Sequence, residues 1–437
     1  MQQTYVVYTF GCQANQADSE QLAAQLQQAG YTAAAQPETA DLIILNTCCV
    51  RESAERKIYG KIGELKKLKT ADPELIIGVA GCLAQKDKEK LFAKAPHVDF
   101  VMGTFSVGNL LENVNKVREK RQHILSVWEQ AEETKRLRPA VDGQIAAWVP
   151  IMYGCNNFCT YCIVPYVRGR ERSRPLQDIR EEVAELARQG VKEITLLGQN
   201  VNSYGKDGQA ASFADLLTAV DGVAGIERVR YMTSHPRDMN QQVIDAIRNS
   251  RSVCEHFHLP VQAGSDTILR AMNRGYSTGD YRRLVKAIRQ SVPDCSLTTD
   301  LIVGFPGETD ALFQETLEFI REMRFDAAYT FLYSPRSGTP AATMPEQIPL
   351  PQKKQRLQAL MDLQNEISLQ INQQLTGKTL EVLVEGPSKN DAGAFVGRTR
   401  TNKIVLWKRS GPEKAGDLLP VLIEKAQTWV LKGKAVT

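Results

Sequence analysis

Short, nearly uninterrupted apolar runs recur along most of this chain, each followed by a segment with helical spacing. A strand that is apolar at almost every position is buried on both faces, which a parallel sheet covered by helices provides. The first series comprises Thr4–Phe10, Asp41–Thr47, Glu74–Gly81 and Val98–Gly103, with helices expected over Asp18–Ala29 and from Arg51 to Lys69. It predicts a doubly wound parallel α/β sheet. Residues from Asn113 to Gly143 are charged and show no clear strand, so a helix and a linker are expected there.

A second series follows: Ala146–Tyr153, Glu193–Gly198, Arg228–Ser234, Glu255–Val261, Leu297–Val303 and Ala327–Tyr333. Six β/α units are too few for a full eight-fold barrel, which needs about 250 residues, so a partial (β/α)6 barrel is expected. Pro335, Pro340, Pro345, Pro349 and Pro351 end the series, and Gln352–Leu375 reads as one long polar helix. The remaining strand-like pieces, separated by Gly, Asn and Pro, predict a small antiparallel β-barrel. The expected fold class is therefore α/β in three parts, bounded at 3–119, 141–372 and 374–437.

Composition narrows the function. The net charge is only +4, from 54 Lys+Arg against 50 Asp+Glu, so the chain as a whole is no polycation. The excess is local: residues 371–437 hold 11 Lys+Arg and 6 Asp+Glu. Nine cysteines, an odd number, in a chain of 437 residues fit metal ligands or reactive thiols in a reducing compartment better than a disulfide framework. The longest apolar run, Leu75 to Ala84, is about half the roughly 20 residues a membrane span needs. The start of the chain carries no basic region followed by an apolar stretch, so a soluble, cytoplasmic protein is expected.

Two sets of cysteines carry the chemistry. Cys155, Cys159 and Cys162 form C-x3-C-x2-C directly after the first strand of the second series. Soft thiolates select zinc or iron–sulfur clusters. Structural zinc wants four ligands, whereas three thiolates on a [4Fe–4S] cluster leave one iron open. Zinc with a distant fourth ligand, or three core cysteines in one loop, are the alternatives. Cys12, Cys48 and Cys82 each follow a strand of the first series. Ligands of open α/β sheets bind outside the carboxyl ends of the strands, so these three can meet at one point. Scattered buried cysteines are the alternative, and Cys254 and Cys295, each alone on a barrel strand, are read as core residues.

The C-x3-C-x2-C loop, Gly154 to Cys162, resembles the radical S-adenosylmethionine (SAM) superfamily, and that resemblance implies a partial (β/α)6 barrel whose open iron binds SAM and cleaves it to a 5′-deoxyadenosyl radical. Gly11-Cys12-Gln13-Ala14-Asn15, Asp18-Ser19-Glu20, Asn46-Thr47-Cys48-Cys49-Val50-Arg51-Glu52 and Gly81-Cys82-Leu83-Ala84-Gln85 resemble the N-terminal domain of the methylthiotransferases, in which three cysteines hold an auxiliary [4Fe–4S] cluster. The family pattern usually has Met at Ala14 and Leu83. Cys48 is taken as the ligand because it follows Asn46-Thr47 in the matching position, with Cys49 beside it. Leu196 through Gly205 and Cys162 through Arg174 look like the branch acting on isopentenylated tRNA adenosine. The resemblance spans the whole chain. It implies methylthiolation at C2 of adenine in N6-(dimethylallyl)adenosine at position 37 of tRNA, with two SAM per product. It also implies an electron donor such as a flavodoxin or ferredoxin and a sulfur donor or cluster-repair system; a monomer is expected. Siblings acting on threonylcarbamoyladenosine or on a ribosomal-protein aspartate, and a non-catalytic iron–sulfur or zinc protein that binds RNA, are the competing readings.

Barrel active sites lie at the carboxyl ends of the strands. Gln199, Ser234, Gln262, Ser265 and Arg274 fall there and are the candidate SAM contacts, with His235, His258 and Asp300 through Gly307 beside them; a turn or strand cap is the alternative for each. Arg168, Arg170, Arg172 and Arg174 alternate just after the cluster loop and could meet phosphates; a solvated basic loop is the alternative. In the last segment Arg398, Arg400, Lys403 and Trp407 combine charge with an indole, a mixture suited to phosphate contact and base stacking. That segment resembles a TRAM domain, an RNA-binding module, and implies contact with the tRNA anticodon stem-loop.

Overall fold

The first apolar series forms one sheet of six parallel strands in the computed structural model. They are β1 (Thr4–Thr9), β2 (Thr32–Ala33), β3 (Leu42–Thr47), β4 (Ile76–Gly81), β5 (Phe100–Met102) and β6 (Ile124–Ser126), in the order β2-β1-β3-β4-β5-β6. Every residue of β3 and β4 is buried, as their apolar sequence requires. One core gathers Ile43, Leu45, Ile77 and Val79, and another gathers Leu42, Ile44, Ile76 and Ala80, so the alternation of the strand feeds both faces of the sheet. The edge strands β2 and β6, two and three residues long, are too short to show a pattern in sequence.

The structure describes residues 2–49, 52–128, 143–208, 211–389, 391–409 and 411–436. The expected linker to Gly143 holds helix Leu110–Lys120 and β6, and its 129–142 stretch lies outside the described residues. Arg51, the expected start of the second helix, also lies outside them; that helix, α2, runs Glu52–Ala71. The first helix, α1 (Gln13–Gln28), begins directly after Cys12 rather than at Asp18, because its opening turn of polar residues carries no helical apolar period.

Chain contacts define two units. The first holds Met1–Val141, Tyr153–Phe158 and Cys162–Arg172; the second holds Asp142–Met152, Cys159–Tyr161 and Ser173–Thr437. This division differs from the three parts expected along the sequence. In the first unit Thr104 Oγ1 donates to the Val167 carbonyl at 2.5 Å and the Arg172 guanidinium lies 5.9 Å from the Phe105 ring, so residues 162–172 pack with the first sheet.

In the second unit six parallel strands form an open arc. The strands β7 (Ala146–Pro150), β8 (Glu193–Leu197) and β9 (Arg228–Tyr231) make one sheet. A second sheet is β10 (His256–His258), β11 (Ser296–Val303) and β12 (Ala327–Leu332). A single parallel bridge, Val229 to Val253, links the two sheets into the expected six-stranded arc. Cys254, buried, follows that bridge, and half-buried Cys295 precedes β11, so neither lies within a strand. A long helix, Leu350–Gln373, packs on β12 and leads to a closed barrel. Its strands are β13 (Thr379–Ser388), β14 (Asp391–Thr399), β15 (Ile404–Lys408), β16 (Leu418–Ala426) and β17 (Leu431–Ala435), in the order β13-β14-β15-β17-β16. All pairings are antiparallel except β15 with β17.

The small barrel is bonded to the larger one within this unit. Arg228, fully buried on β9, donates to the Arg398 carbonyl at 2.6 Å and pairs with Glu381 at 2.9 Å. Arg230 donates to the Thr399 and Arg400 carbonyls at 2.8 and 3.0 Å. In return Arg400 grips both oxygens of Glu255, at 2.7 and 2.8 Å, and Lys403 pairs with Asp326 at 2.5 Å.

Candidate metal centres and nucleic-acid interface

Strands β1, β3 and β4 are neighbours, and their carboxyl ends present Cys12, Cys48 and Cys82. Cys12 is exposed, while Cys48 and Cys82 are buried. The residues around them form a polar scaffold. Asn15 donates to the Thr47 carbonyl at 2.9 Å, Asn46 donates to the Asn15 carbonyl at 2.8 Å and to Ser19 Oγ at 2.9 Å, and Thr47 donates to the Ala80 carbonyl at 2.5 Å. These bonds fix the strand ends that carry the thiols. Gly11 sits at φ +137°, and a Cβ there would lie 2.6 Å from Cys48 Cβ, so the Cys12 turn and Cys48 can close together only with glycine at that position.

Cys49 belongs to the same site. Its thiol donates to the Cys82 sulfur, and it packs with Cys82, Ile163 and Val167. That bond, followed by burial, pushes the Cys49 thiol far up. The bond pushes Cys82 down to about 6 against the effect of burial, with the Arg168 charge acting in the same direction. Cys48 thus faces the Gly11–Cys12 turn and Cys49 faces Cys82. Among the described residues no three His, Cys, Asp or Glu side chains close on a single ion. A cubane spreads its thiolates more widely than one ion does, and an all-thiol donor set matches iron–sulfur chemistry.

Arg168, expected at phosphates, is buried here instead. It pairs with Asp18 at 2.8 Å and reaches Asn15 Oδ1 at 3.5 Å. Burial works against its charge, but the Cys82 and Asp18 charges outweigh burial and hold it protonated. Arg170 and Arg172 remain nearer the surface, over Phe158 at 4.6 Å and Tyr153 at 5.7 Å. Arg174 pairs with half-buried Glu182 at 2.6 Å.

The C-x3-C-x2-C stretch is folded by its own glycine. A Cβ on Gly154 would lie 2.0 Å from the Arg170 carbonyl oxygen, and Cys155 N donates to the Gly169 carbonyl at 3.0 Å. In the second unit, Cys159 Sγ accepts from Arg274 Nη1 at 3.3 Å. A donor aimed at a sulfur favours its thiolate and its role as a metal ligand. Arg274 also holds the Pro260 carbonyl at 2.7 Å and the Tyr276 hydroxyl at 3.0 Å, tying Cys159 to the segment before Gln262.

The other candidate SAM contacts line the same carboxyl edge. Val201 N donates to the Thr233 carbonyl at 3.0 Å, which sets the Gln199 loop beside Ser234. Gln262, in the left-handed region at φ +75°, pairs its backbone with Asp300 and Ile302. The hydroxyls of Ser234 and Ser265 are buried with no hydrogen-bond partner among the described residues. His235 Nδ1 accepts from Arg237 N at 3.3 Å, and burial, then the Arg274 charge, pushes its imidazole down to about 2. It is therefore neutral, with Nε2 the protonated nitrogen, and Nε2 too lacks a partner among the described residues. Buried polar groups are rarely left unpaired, so three such groups on one edge fit a polar ligand of the size and functionality of SAM. His258 is used structurally, bonded to Thr298 at 3.0 Å, and Glu308 of the Gly304–Glu308 turn is locked to Arg356 at 2.8 Å.

The expected RNA-contacting set of the small barrel is placed differently from the reading of its sequence. Trp407 is 2% exposed and stacks on Phe395 in the barrel core, so its face is not open to a base. Arg400 and Lys403 hold Glu255 and Asp326, and half-buried Arg398 pairs with Glu385 at 2.8 Å.

Three family patterns match the chain in sequence: uncharacterized protein family UPF0004 over residues 4–103, the radical SAM superfamily over 149–320, and the TRAM domain over 373–436. The chain is 52% identical over 440 residues to a tRNA-2-methylthio-N(6)-dimethylallyladenosine synthase from Moorella thermoacetica, covering 99% of this chain and 98% of that one. It is 49% identical over 436 residues to the protein of the same name from Desulforamulus reducens, covering 99% and 95%. The chain belongs to the tRNA-2-methylthio-N(6)-dimethylallyladenosine synthase family. Among solved structures, the radical SAM methyltransferase TsrM of Kitasatospora setae, with cobalamin and a [4Fe-4S] cluster bound, superposes at TM-score 0.58 with 13% identity over 86% of this chain and 79% of that one. The cobalamin-dependent radical SAM enzyme OxsB gives 0.55 with 12% identity over 83% and 56%. These likenesses describe the fold alone.

Within this synthase family frame, the two departures at Ala14 and Leu83 are benign. Leu83 is fully buried in the sheet core and Ala14 is half-buried at the start of α1. Sequence reasoning missed Cys49 and the Arg168–Asp18 pair as parts of the auxiliary site. The pair joins residues 150 positions apart, and nothing local signals it.

Proposed function

We infer that this chain is a radical SAM tRNA methylthiotransferase that converts N6-(dimethylallyl)adenosine at position 37 of tRNA to its 2-methylthio derivative. The observation that carries the reading is full-length kinship with synthases of that name, in a sequence that contains both three-cysteine sets. When bound, two [4Fe–4S] clusters and SAM supply the hydrogen-atom abstraction at C2, the sulfur and the methyl group. The adenine C2–H is a poor acid, so positioned acids and bases alone do not suffice, and the chain's residues bind, orient and shield.

Cys155, Cys159 and Cys162 would hold the SAM-binding cluster, with Arg274 directing a proton at Cys159 Sγ. Cys12, Cys48 and Cys82 would hold the auxiliary cluster, with Arg168 placing a fixed positive charge beside it. Ser234, Ser265 and the Nε2–H of His235 offer unsatisfied polar groups, and Gln199 and Gln262 flank them as further contacts to SAM. The tRNA is the substrate. Low-potential electrons come from a flavodoxin- or ferredoxin-like carrier, and the consumed sulfur from a donor or cluster-repair system. A monomer in the cytoplasm accords with that role. No helix among the described residues is long and apolar enough to cross a membrane.

Nucleoside analysis of tRNA from a deletion strain tests the reading. The expected result is loss of the methylthio derivative with accumulation of N6-(dimethylallyl)adenosine, restored by the intact gene and not by Cys159→Ala. Unchanged methylthiolation in the deletion strain would overturn it.

A further inference from the structure

The C-terminal barrel keeps unpaired positive charge on one face. Inward residues of its strands are Val405 and Trp407 on β15, Leu431 on β17, and Val421 and Ile423 on β16. Alternation turns their neighbours outward. Leu406 lies opposite Lys432, Trp407 opposite Gly433, Leu422 opposite Lys434, and Lys425 opposite Lys432. Lys408, one step beyond Trp407, therefore stands beside Lys434. The face thus carries Lys408, Lys425, Lys432 and Lys434, all exposed, and none forms an ion pair or side-chain hydrogen bond among the described residues. Glu424, displaced at the bulge between Ile423 and Lys425, is the one acid next to them in sequence.

At the end of this face the β16–β17 turn presents Trp429, 56% exposed. The turn is closed by Gln427 N on the Val430 carbonyl at 2.9 Å. It is anchored from below by Asn372 of the long helix, which donates to the Gln427 and Thr428 carbonyls at 2.9 and 3.0 Å. An indole held in water on a fixed turn, beside four uncompensated lysines, has the two components of sequence-tolerant RNA binding: charge for the backbone and an aromatic face for a base. The basic residues that the sequence suggested are spent on Glu255, Asp326 and Glu385, so the net positive charge of the barrel is expressed here.

We propose that the β15–β17–β16 face, with Lys408, Lys425, Lys432 and Lys434 on phosphates and Trp429 stacked on an unpaired base, is the surface by which this barrel grips its RNA substrate. The proposal rests on the tRNA reading above. In the test, holoenzyme variants are titrated with tRNA carrying N6-(dimethylallyl)adenosine at several salt concentrations. Replacing all four lysines by Ala lowers the slope of log affinity against log salt by about 0.7 per lysine, or about 3 in total. Trp429→Ala weakens binding roughly 5- to 150-fold, as expected for one lost stacking contact, with little change in slope. Both raise KM for tRNA and leave kcat at saturating tRNA within about two-fold. A control that removes two exposed lysines elsewhere, Lys66→Ala with Lys67→Ala on α2, keeps the wild-type slope. Wild-type slope and affinity in the four-lysine and Trp429 variants, with methylthiolation intact, would overturn this surface and leave the tRNA reading standing. Unchanged tRNA affinity combined with loss of turnover on a protein reductant but not on dithionite would assign the face to an acidic electron carrier, and also overturns the proposal. Absence of tRNA binding by the wild type would overturn both readings.

Discussion

Replacing Arg168 by Met removes the positive partner of a buried pair. The side chains of Arg168 and Asp18 are 8% and 10% exposed and meet at 2.8 Å. Removing one partner of such a pair costs about 3–5 kcal/mol because the other charge is left buried, whereas an exposed pair is worth about 0.2–1 kcal/mol. The Asp18 carboxylate is then left buried without its partner, and the Cys12 and Cys82 sulfurs lose the Arg168 charge that offsets them. A double-mutant cycle with Asp18→Asn isolates the pair: the single variants should each be costly, and the double variant should recover at least about 2 kcal/mol relative to their sum. The assay is urea unfolding of the reduced apoprotein, followed by a probe in the first sheet. Iron content is read in parallel on a Cys155→Ala, Cys159→Ala, Cys162→Ala background, where only auxiliary iron remains. Arg168→Met should lower that iron well below the parent, and Arg168→Lys should restore part of it. A coupling energy under about 1 kcal/mol, with auxiliary iron unchanged in Arg168→Met, would refute the reasoning.

Three further outcomes are expected. Cys48→Ala should lose about half of the total iron, as the loss of one of two equal clusters requires. Cys49→Ala should retain nearly all of it; equal loss in both variants would show that the thiol donating to Cys82 is itself a ligand. Arg400→Ala should destabilise the second unit by about 1–3 kcal/mol, the cost of leaving charged hydrogen bonds unmade; an unfolding midpoint within error of wild type would contradict the docking role drawn from its two bonds to Glu255. For His235 the folded value is pushed from 6.5 down to about 2, so below pH 6.5 the unfolded chain takes up a proton that the folded one refuses. Its contribution is fully present above pH 6.5 and is lost as pH falls, by up to about 1.4 kcal/mol per pH unit. His235→Gln should therefore show a shallower loss of stability between pH 7 and 5 than wild type; parallel curves would contradict the burial of a neutral ring.

The backbone plan was legible because apolar runs such as DLIILNT and ELIIGVAG can only be strands covered on both sides, and β3 and β4 are buried throughout. The same logic carried the cysteines: Cys12, Cys48 and Cys82 follow strands, and parallel pairing places strand ends side by side. What stayed hidden depends on partners far along the chain. Arg168 in a run of alternating arginines looks solvated, yet one short helix, Val164–Arg168, turns it onto Asp18. Arg400 looks like a free cation until Glu255, 145 residues away, is seen beneath it. Trp407 carried a signal that the reading passed over. In KIVLWKR it alternates with Lys408 and shares a side with Val405, which is the core side of β15. The sequence's net charge located the RNA-binding segment, but only strand register separates the lysines that face out from the arginines that dock.

The central claim is that this chain installs the methylthio group. The direct measurement uses the anaerobically reconstituted wild-type protein with SAM, a reductant and tRNA bearing N6-(dimethylallyl)adenosine, followed by mass analysis of the nucleosides. The account predicts the 2-methylthio derivative with two SAM consumed per product, and no product from Cys12→Ala or Cys159→Ala. Recovery of unmodified N6-(dimethylallyl)adenosine from a fully loaded enzyme that still cleaves SAM, or methylthiolation only of threonylcarbamoyladenosine, would contradict it.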